Sequence, residues 1–129
     1  MNKNNSLEVI KDCTTYIKNH LQDTLTAESL ASRYGYSLYH FCHIFKICCD
    51  MSPGKYIRLL RLEKAKKDIL SGMSITQAGF DNGFETSSGF SKAFRKEYGI
   101  SAREYLKQNK ESEVLIMLHV EIKTLQSQT

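Results

Sequence analysis

The chain repeats itself. Ala31-Ser32-Arg33-Tyr34-Gly35-Tyr36 aligns with Gly79-Phe80-Asp81-Asn82-Gly83-Phe84 at an offset of 48 residues. Beyond that turn the offset becomes 49: Phe41 matches Phe90, Phe45 matches Phe94, Lys46 matches Arg95, Ser52 matches Ser101 and Tyr56 matches Tyr105. Two copies of a short unit that differ by one residue in a turn are the mark of a duplicated supersecondary structure, because turns tolerate insertion where packed helices do not. Whatever one copy folds into, the other folds into as well, and 129 residues leave little room for anything else.

Each copy reads as helix, tight turn, helix. In the first, Thr26 caps a short helix with Ala27, Leu30, Ala31 and Tyr34 on its apolar side, and Gly35 supplies the left-handed residue that ends it. Ser37 caps the next helix, whose expected inward stripe is Leu38, Phe41, Phe45 and Cys48. In the second copy, Ser74 and Thr86 are the caps, Ile75, Ala78, Gly79, Phe90, Ala93 and Phe94 face inward, and Gly83 and Gly99 are the stops. Asp50 stands where Gly99 does, and aspartate tolerates the left-handed conformation better than most residues.

Three further helices frame these pairs. Leu7, Ile10, Cys13, Ile17 and Leu21 recur at helical spacing over residues 6–21. Ser52-Pro53 is a cap followed by proline at the first helical position and opens a long helix to about Leu70, with Tyr56, Leu59, Leu60, Leu62, Ala65 and Ile69 inward. Ser101-Ala102-Arg103-Glu104 has capping-box spacing and starts a short last helix with Tyr105 and Leu106. The expected architecture is therefore all-α: seven helices in two helix-turn-helix units, 6–51 and 72–107, joined by a linking helix over 52–71. Residues 108–113 read as a linker. The apolar run Val114–Leu118 and the alternation of Val120, Ile122 and Thr124 with Glu121 and Lys123 then read as a strand, the start of a further domain. The other readings of this tail are a helix packed on the domain and a strand paired between two chains.

Charge is uneven. Residues 1–110 carry 17 Lys/Arg against 11 Asp/Glu, and residues 111–129 one Lys against three Glu. A basic body suits a polyanionic partner. The absence of a long apolar run excludes a membrane-spanning helix, and the polar N-terminus Met1-Asn2-Lys3-Asn4-Asn5 is no secretory signal, so the expected location is the cytoplasm, with Cys13, Cys42, Cys48 and Cys49 as reduced thiols. Cys13 lies on an apolar face and is expected to act as a small hydrophobe. His40, Cys42 and His43, with Cys48-Cys49 nearby, have a workable ligand spacing, yet no Cys-x-x-Cys or His-Glu-x-x-His pattern accompanies them, so neither metal nor cofactor is expected. No nucleophile–base set or phosphate-cradling glycine loop is present, which argues against an enzyme.

The outward faces of the two second helices carry the chemistry. Tyr39, Cys42, His43 and Lys46 lie at i, i+3, i+4 and i+7, opposite the buried aromatic stripe; Ser88, Ser91, Lys92 and Arg95 take the equivalent places in the second copy. Hydrogen-bond donors, a flat ring and cations are what base edges and phosphates in a major groove require. Arg61 is expected to brace helices through a carboxylate, and Lys64-Ala65-Lys66-Lys67 to be a solvated face. The rival reading is a helical module that docks on a protein such as RNA polymerase with the same faces.

Over Leu7–Leu106 the sequence resembles the DNA-binding domain of AraC/XylS-type transcription regulators. The first-unit pattern is Leu30-Ala31, Ser37, Phe45-Lys46, Met51-Ser52-Pro53, Tyr56-Ile57, Arg61-Leu62, Ala65 and Leu70; the second-unit pattern is Gly83-Phe84, Phe90-Ser91, Ala93-Phe94-Arg95, Gly99, Ser101 and Tyr105. The resemblance implies two recognition helices and sequence-specific binding of double-stranded DNA. By position it implies base-reading roles for Tyr39, Cys42 and His43, and for Ser87, Ser88, Gly89 and Lys92, with His40 and Ser91 on the same faces and Lys46 and Arg95 meeting phosphate or supporting the helix. Ala102 replaces the family's usual proline, Leu106 its usual arginine, and Ala78-Gly79 its common Ile-Ala. The tail resembles the opening strand of the small-molecule-binding, GyrI-like domain that follows this unit in some members. An effector is expected only where that domain is present.

Overall fold

The computed structural model describes residues 3–127. Seven helices follow one another: α1 (Lys3–Asn19), α2 (Ala27–Arg33), α3 (Leu38–Cys49), α4 (Pro53–Leu70), α5 (Ile75–Asp81), α6 (Ser87–Tyr98) and α7 (Ala102–Ser127), with no strand among the described residues. The all-α expectation holds.

The duplication is visible bond by bond. Thr26, Ser37, Ser52, Ser74 and Thr86 each hold an extended backbone, and each side-chain oxygen accepts the amide of the residue three further on. Ser101 Oγ accepts the Glu104 amide in the same way at 3.1 Å. These caps satisfy amides that have no partner inside their own helices. Both short helices end alike: the Tyr36 amide donates to Ala31 O at 2.9 Å, and the Phe84 amide to Gly79 O at 3.0 Å, each spanning a left-handed glycine, Gly35 (φ 74°) and Gly83 (φ 91°). The turns stay in step through Phe84, so the extra residue of the second copy falls between Phe84 and Thr86. Asp50 (φ 59°) and Gly99 (φ 78°) end α3 and α6 in the left-handed conformation.

Two cores result, and α4 is the wall between them. Ile10, Cys13, Ile17, Leu30, Phe41 and Phe45 fill the first, closed by Ile57 from the start of α4. Leu62, Ala65 and Ile69 from the end of α4 fill the second with Ala78, Phe90, Phe94 and Ala102. The α3 stripe differs from expectation: Leu38 and Cys48 are exposed, while Ile44 is buried. With the helical period the inward stripe runs Phe41, Ile44, Phe45 and then Cys49, which packs on the core, so Cys48 beside it faces water.

The tail departs from its expected form. Residues 108–113 are not a break and 114–124 are not a strand; α7 runs through both without interruption. Glutamine, lysine and glutamate are good helix formers, and an apolar run has no period that separates strand from helix. The helix does not pack on the domain either: every residue from Lys110 to Ser127 is exposed.

Arg61, on α4 between the two cores, is bracing as expected, but its partners are not carboxylates. Its Nε donates to Leu21 O at 3.0 Å and its Nη2 to Asp23 O at 2.8 Å, both in the α1–α2 loop. On the other side, Asn82 is buried, and its amide donates to Asp68 Oδ2 at 2.9 Å and to Ala78 O at 2.8 Å, tying the α5–α6 turn to α4.

Candidate nucleic-acid interface

Helix α3 is held by Phe41, Ile44 and Phe45 on one side, which leaves the opposite row facing out. Tyr39 is 84% exposed. Its ring lies parallel to that of His43, one turn on, with centroids 6.3 Å apart and planes 2° from parallel. His40 is exposed and meets the Tyr36 ring edge-on at 5.0 Å. His43 and Lys46 are exposed, and Cys42 is half-buried. Helix α6 is anchored by Phe90 and Phe94, and its opposite row carries Ser87, Ser88, Gly89, Ser91, Lys92 and Arg95, all exposed. The Gly89 amide donates to Thr86 Oγ1 at 2.9 Å, so this residue belongs to the cap as well as to the outer face.

Lys96 belongs with this face although sequence reasoning missed it. It is exposed and continues the Ser88–Lys92 row by one more turn, a spacing that was there to be counted. Among the described residues the ion pairs are Lys64–Asp68 (3.3 Å) and Lys66–Glu63 (3.2 Å), both within α4. Lys46, Lys92, Arg95 and Lys96 make none, so among the described residues no carboxylate pairs with these cations of α3 and α6. Lys66 also lies over the Tyr98 ring at 4.8 Å, which takes it out of the solvated α4 row.

Burial, with the neighbouring Cys49 and Asp12, pushes Cys13 up to about 12, and burial also raises Cys49. Cys42, Cys48 and both of these are free. Among the described residues no group of three His, Cys, Asp or Glu side chains is placed to hold a metal, and no helix is long and apolar enough to cross a membrane.

The model of the helix-turn-helix domain family (HTH_18) matches residues 30–108, through both units. The E. coli right origin-binding protein is 29% identical over 91 residues, and the HTH-type transcriptional activator RhaS of Escherichia fergusonii 33% over 90 residues. The chain belongs to the AraC/XylS family of transcription regulators. These matches take in 70% and 69% of the chain, but only 32% of either relative, so the chain spans about a third of the length of these AraC/XylS proteins. Solved domains agree in fold. The C-terminal domain of AraT from Geobacillus stearothermophilus superposes with TM-score 0.74 at 27% identity, covering 78% of this chain and 84% of that one. The DNA-binding domain of AdpA, solved with a target DNA, superposes with TM-score 0.76 at 19% identity, covering 80% and 94%, a likeness of fold alone. The chain is thus an AraC-type helix-turn-helix DNA-binding domain of a family of regulators rather than enzymes.

All three departures from the family pattern fall in or against the second core, Leu106 packing on its edge. Ala102 is buried there and Ser101 still caps α7, so the missing proline leaves that helix start intact. Gly79 lies where a Cβ would stand 2.8 Å from Phe90 Cδ2, so the lost methyl is the space the Phe90 ring occupies.

Proposed function

We propose that α3 and α6 enter two successive major grooves of one duplex, each reading half of an asymmetric site. The observation that carries this is the pair of second helices with matching caps, matching aromatic anchors and unpaired cations on their outer rows. The 18 residues of α4 make a rod of about 27 Å at about 1.5 Å per residue. With the flanking turns, that suits grooves about 34 Å apart. In the first half Tyr39, Cys42 and His43 meet base edges and His40 borders them; in the second Ser87, Ser88, Gly89, Ser91 and Lys92 do so. Lys46 and Arg95 meet phosphate. AdpA, whose domain was solved on its target DNA, supports this reading by its fold. The site of action is the cytoplasm, where the four thiols stay reduced. The units divide at 6–51, 52–71 and 72–107. RNA polymerase is a further partner for the same exposed faces, and a small-molecule effector acts only where a further domain follows.

The test is selection of bound sequences from random duplexes, followed by His43→Ala and Lys92→Ala on the selected site. Each good base contact contributes about 1–3 kcal/mol of discrimination. The two substitutions should relax specificity in different halves. Lys46→Ala should instead weaken all sequences alike and reduce the salt dependence. Selection of no preferred sequence, or unchanged binding by both base-row variants, would overturn the proposal.

A further inference from the structure

The two units share α4, but packing on one slender rod leaves the angle between them compliant. Each unit packs on a different stretch of it, Ile57 on one side and Leu62, Ala65 and Ile69 on the other, so a second contact away from the axis restrains the angle between them further. The α5–α6 turn supplies one. Gly83, in the α5–α6 turn of the second unit, lies so close to the α1–α2 loop of the first that a Cβ there would stand 2.6 Å from Leu21 O and 2.6 Å from Arg61 Nε. A crevice of about 200 Å³ beside it is lined by residues 18–23 from the first unit and by Asp81 and Asn82 from the second.

We infer that Arg61 is a positioning residue for DNA reading: it pins the first unit's loop against the second unit's turn and thereby sets the half-site spacing that the chain accepts. The inference rests on the two-groove reading proposed above. The guanidinium donates two hydrogen bonds to the carbonyls of Leu21 and Asp23 and fills the space beneath Gly83. Hydrogen bonds from a charged donor are stronger and more directional than neutral ones, and a guanidinium fork holds two acceptors in a fixed plane. From the pin, each path to a reading helix is short. Thr26, three residues past Asp23, caps α2, which packs on α3; Thr86, three residues past Gly83, caps α6 directly. Asn82, bonded to Asp68, holds the turn from its other side.

Arg61 should therefore govern spacing rather than affinity. When two readers are rigidly joined, the second binds as an intramolecular event only if the geometry matches, and the gain, about 10²–10⁴ in affinity, vanishes when it does not. The probe is the selected bipartite duplex and a series with one or two base pairs added or removed between its halves. The unaltered chain should lose about tenfold or more for one added base pair, and Arg61→Met, which keeps the stem but not the fork, less than about threefold. Base substitutions within either half should cost both proteins the same. A spacing profile for Arg61→Met parallel to that of the unaltered chain overturns the inference. A flat profile for the unaltered chain instead overturns the two-groove reading. Residual dipolar couplings on the DNA-free protein give an independent arm. The two units should share one alignment tensor in the unaltered chain and show two in Arg61→Met, or in Arg61→Lys should the first variant fail to fold. Two tensors in the unaltered chain, or one shared tensor in a folded variant, refute the pin.

Discussion

Replacing Gly79 by alanine sets two effects of opposite sign against each other. Gly79 lies inside α5 with no left-handed backbone to protect, so helix propensity alone favours alanine by about 1 kcal/mol. The added methyl, however, would stand 2.8 Å from Phe90 Cδ2 and 2.9 Å from Phe90 Cγ. Comfortable carbon–carbon contact is about 3.5–4.0 Å, so the ring must move by roughly 1 Å. It has nowhere to go. Phe90 is buried, with the Phe84 ring at 5.0 Å and the Phe94 ring at 5.9 Å. Overpacking a filled core costs about 1–3 kcal/mol. The net expectation for Gly79→Ala is a loss of about 1 kcal/mol, seen as a lower urea midpoint at unchanged slope and a Tm lower by about 4 °C. The second half of the test is a double-mutant cycle with Phe90→Leu. With the ring gone, the same Gly79→Ala change should become neutral or stabilising, giving a coupling of about 1–3 kcal/mol. A Gly79→Ala protein as stable as the parent, or a cycle without coupling, would refute the idea that Gly79 exists to admit the Phe90 ring.

Asp50→Gly relieves a non-glycine residue at φ 59° and should raise stability by about 0.5–1 kcal/mol in urea unfolding. Asn82→Ala removes the buried amide between Asp68 and Ala78 and should cost about 1–3 kcal/mol by the same measurement. Burial holds Cys13 near 12; burial and a hydrogen bond to Asp12 hold Tyr34 near 12; burial and the Glu63 carboxylate hold Tyr98 near 12. Ordinary values are 9 for the thiol and 10 for the phenols, so the folded chain keeps protons that the unfolded chain gives up. The stabilisation is complete below about pH 9 and should fall progressively from there to pH 12. Urea midpoints that stay flat over this window would contradict it, as would rapid alkylation of Cys13 at neutral pH ahead of the exposed Cys48.

The repeat made most of the fold legible. Helix caps announce themselves as single residues before an apolar period, and Thr26, Ser37, Ser52, Ser74, Thr86 and Ser101 all cap where the sequence placed them. The outward rows were legible for the same reason: Phe41 with Phe45, and Phe90 with Phe94, fix which side is in, and the opposite sides follow. Three things were not. The partners of Arg61 are main-chain carbonyls, which every residue carries and no sequence marks. Cys48 and Cys49 both lie close to the period of the inward stripe, and it is Cys49 that packs on the core. In the tail, Val114–Leu118 is apolar on every face, so its period is silent, and the helix-forming residues 108–113 that lead into it decided the outcome.

The pin has a property that side-chain pairs lack. Because Arg61 grips oxygen atoms of the peptide chain, substitutions at Leu21 or Asp23 leave its acceptors in place. It also falls on α4 where one core hands over to the other, between Leu60 and Leu62. A recombination crossover there would deliver each reader with its own packing intact and a ready-made joint. A chimaera joined there would combine two units, each with its core complete, on one pin.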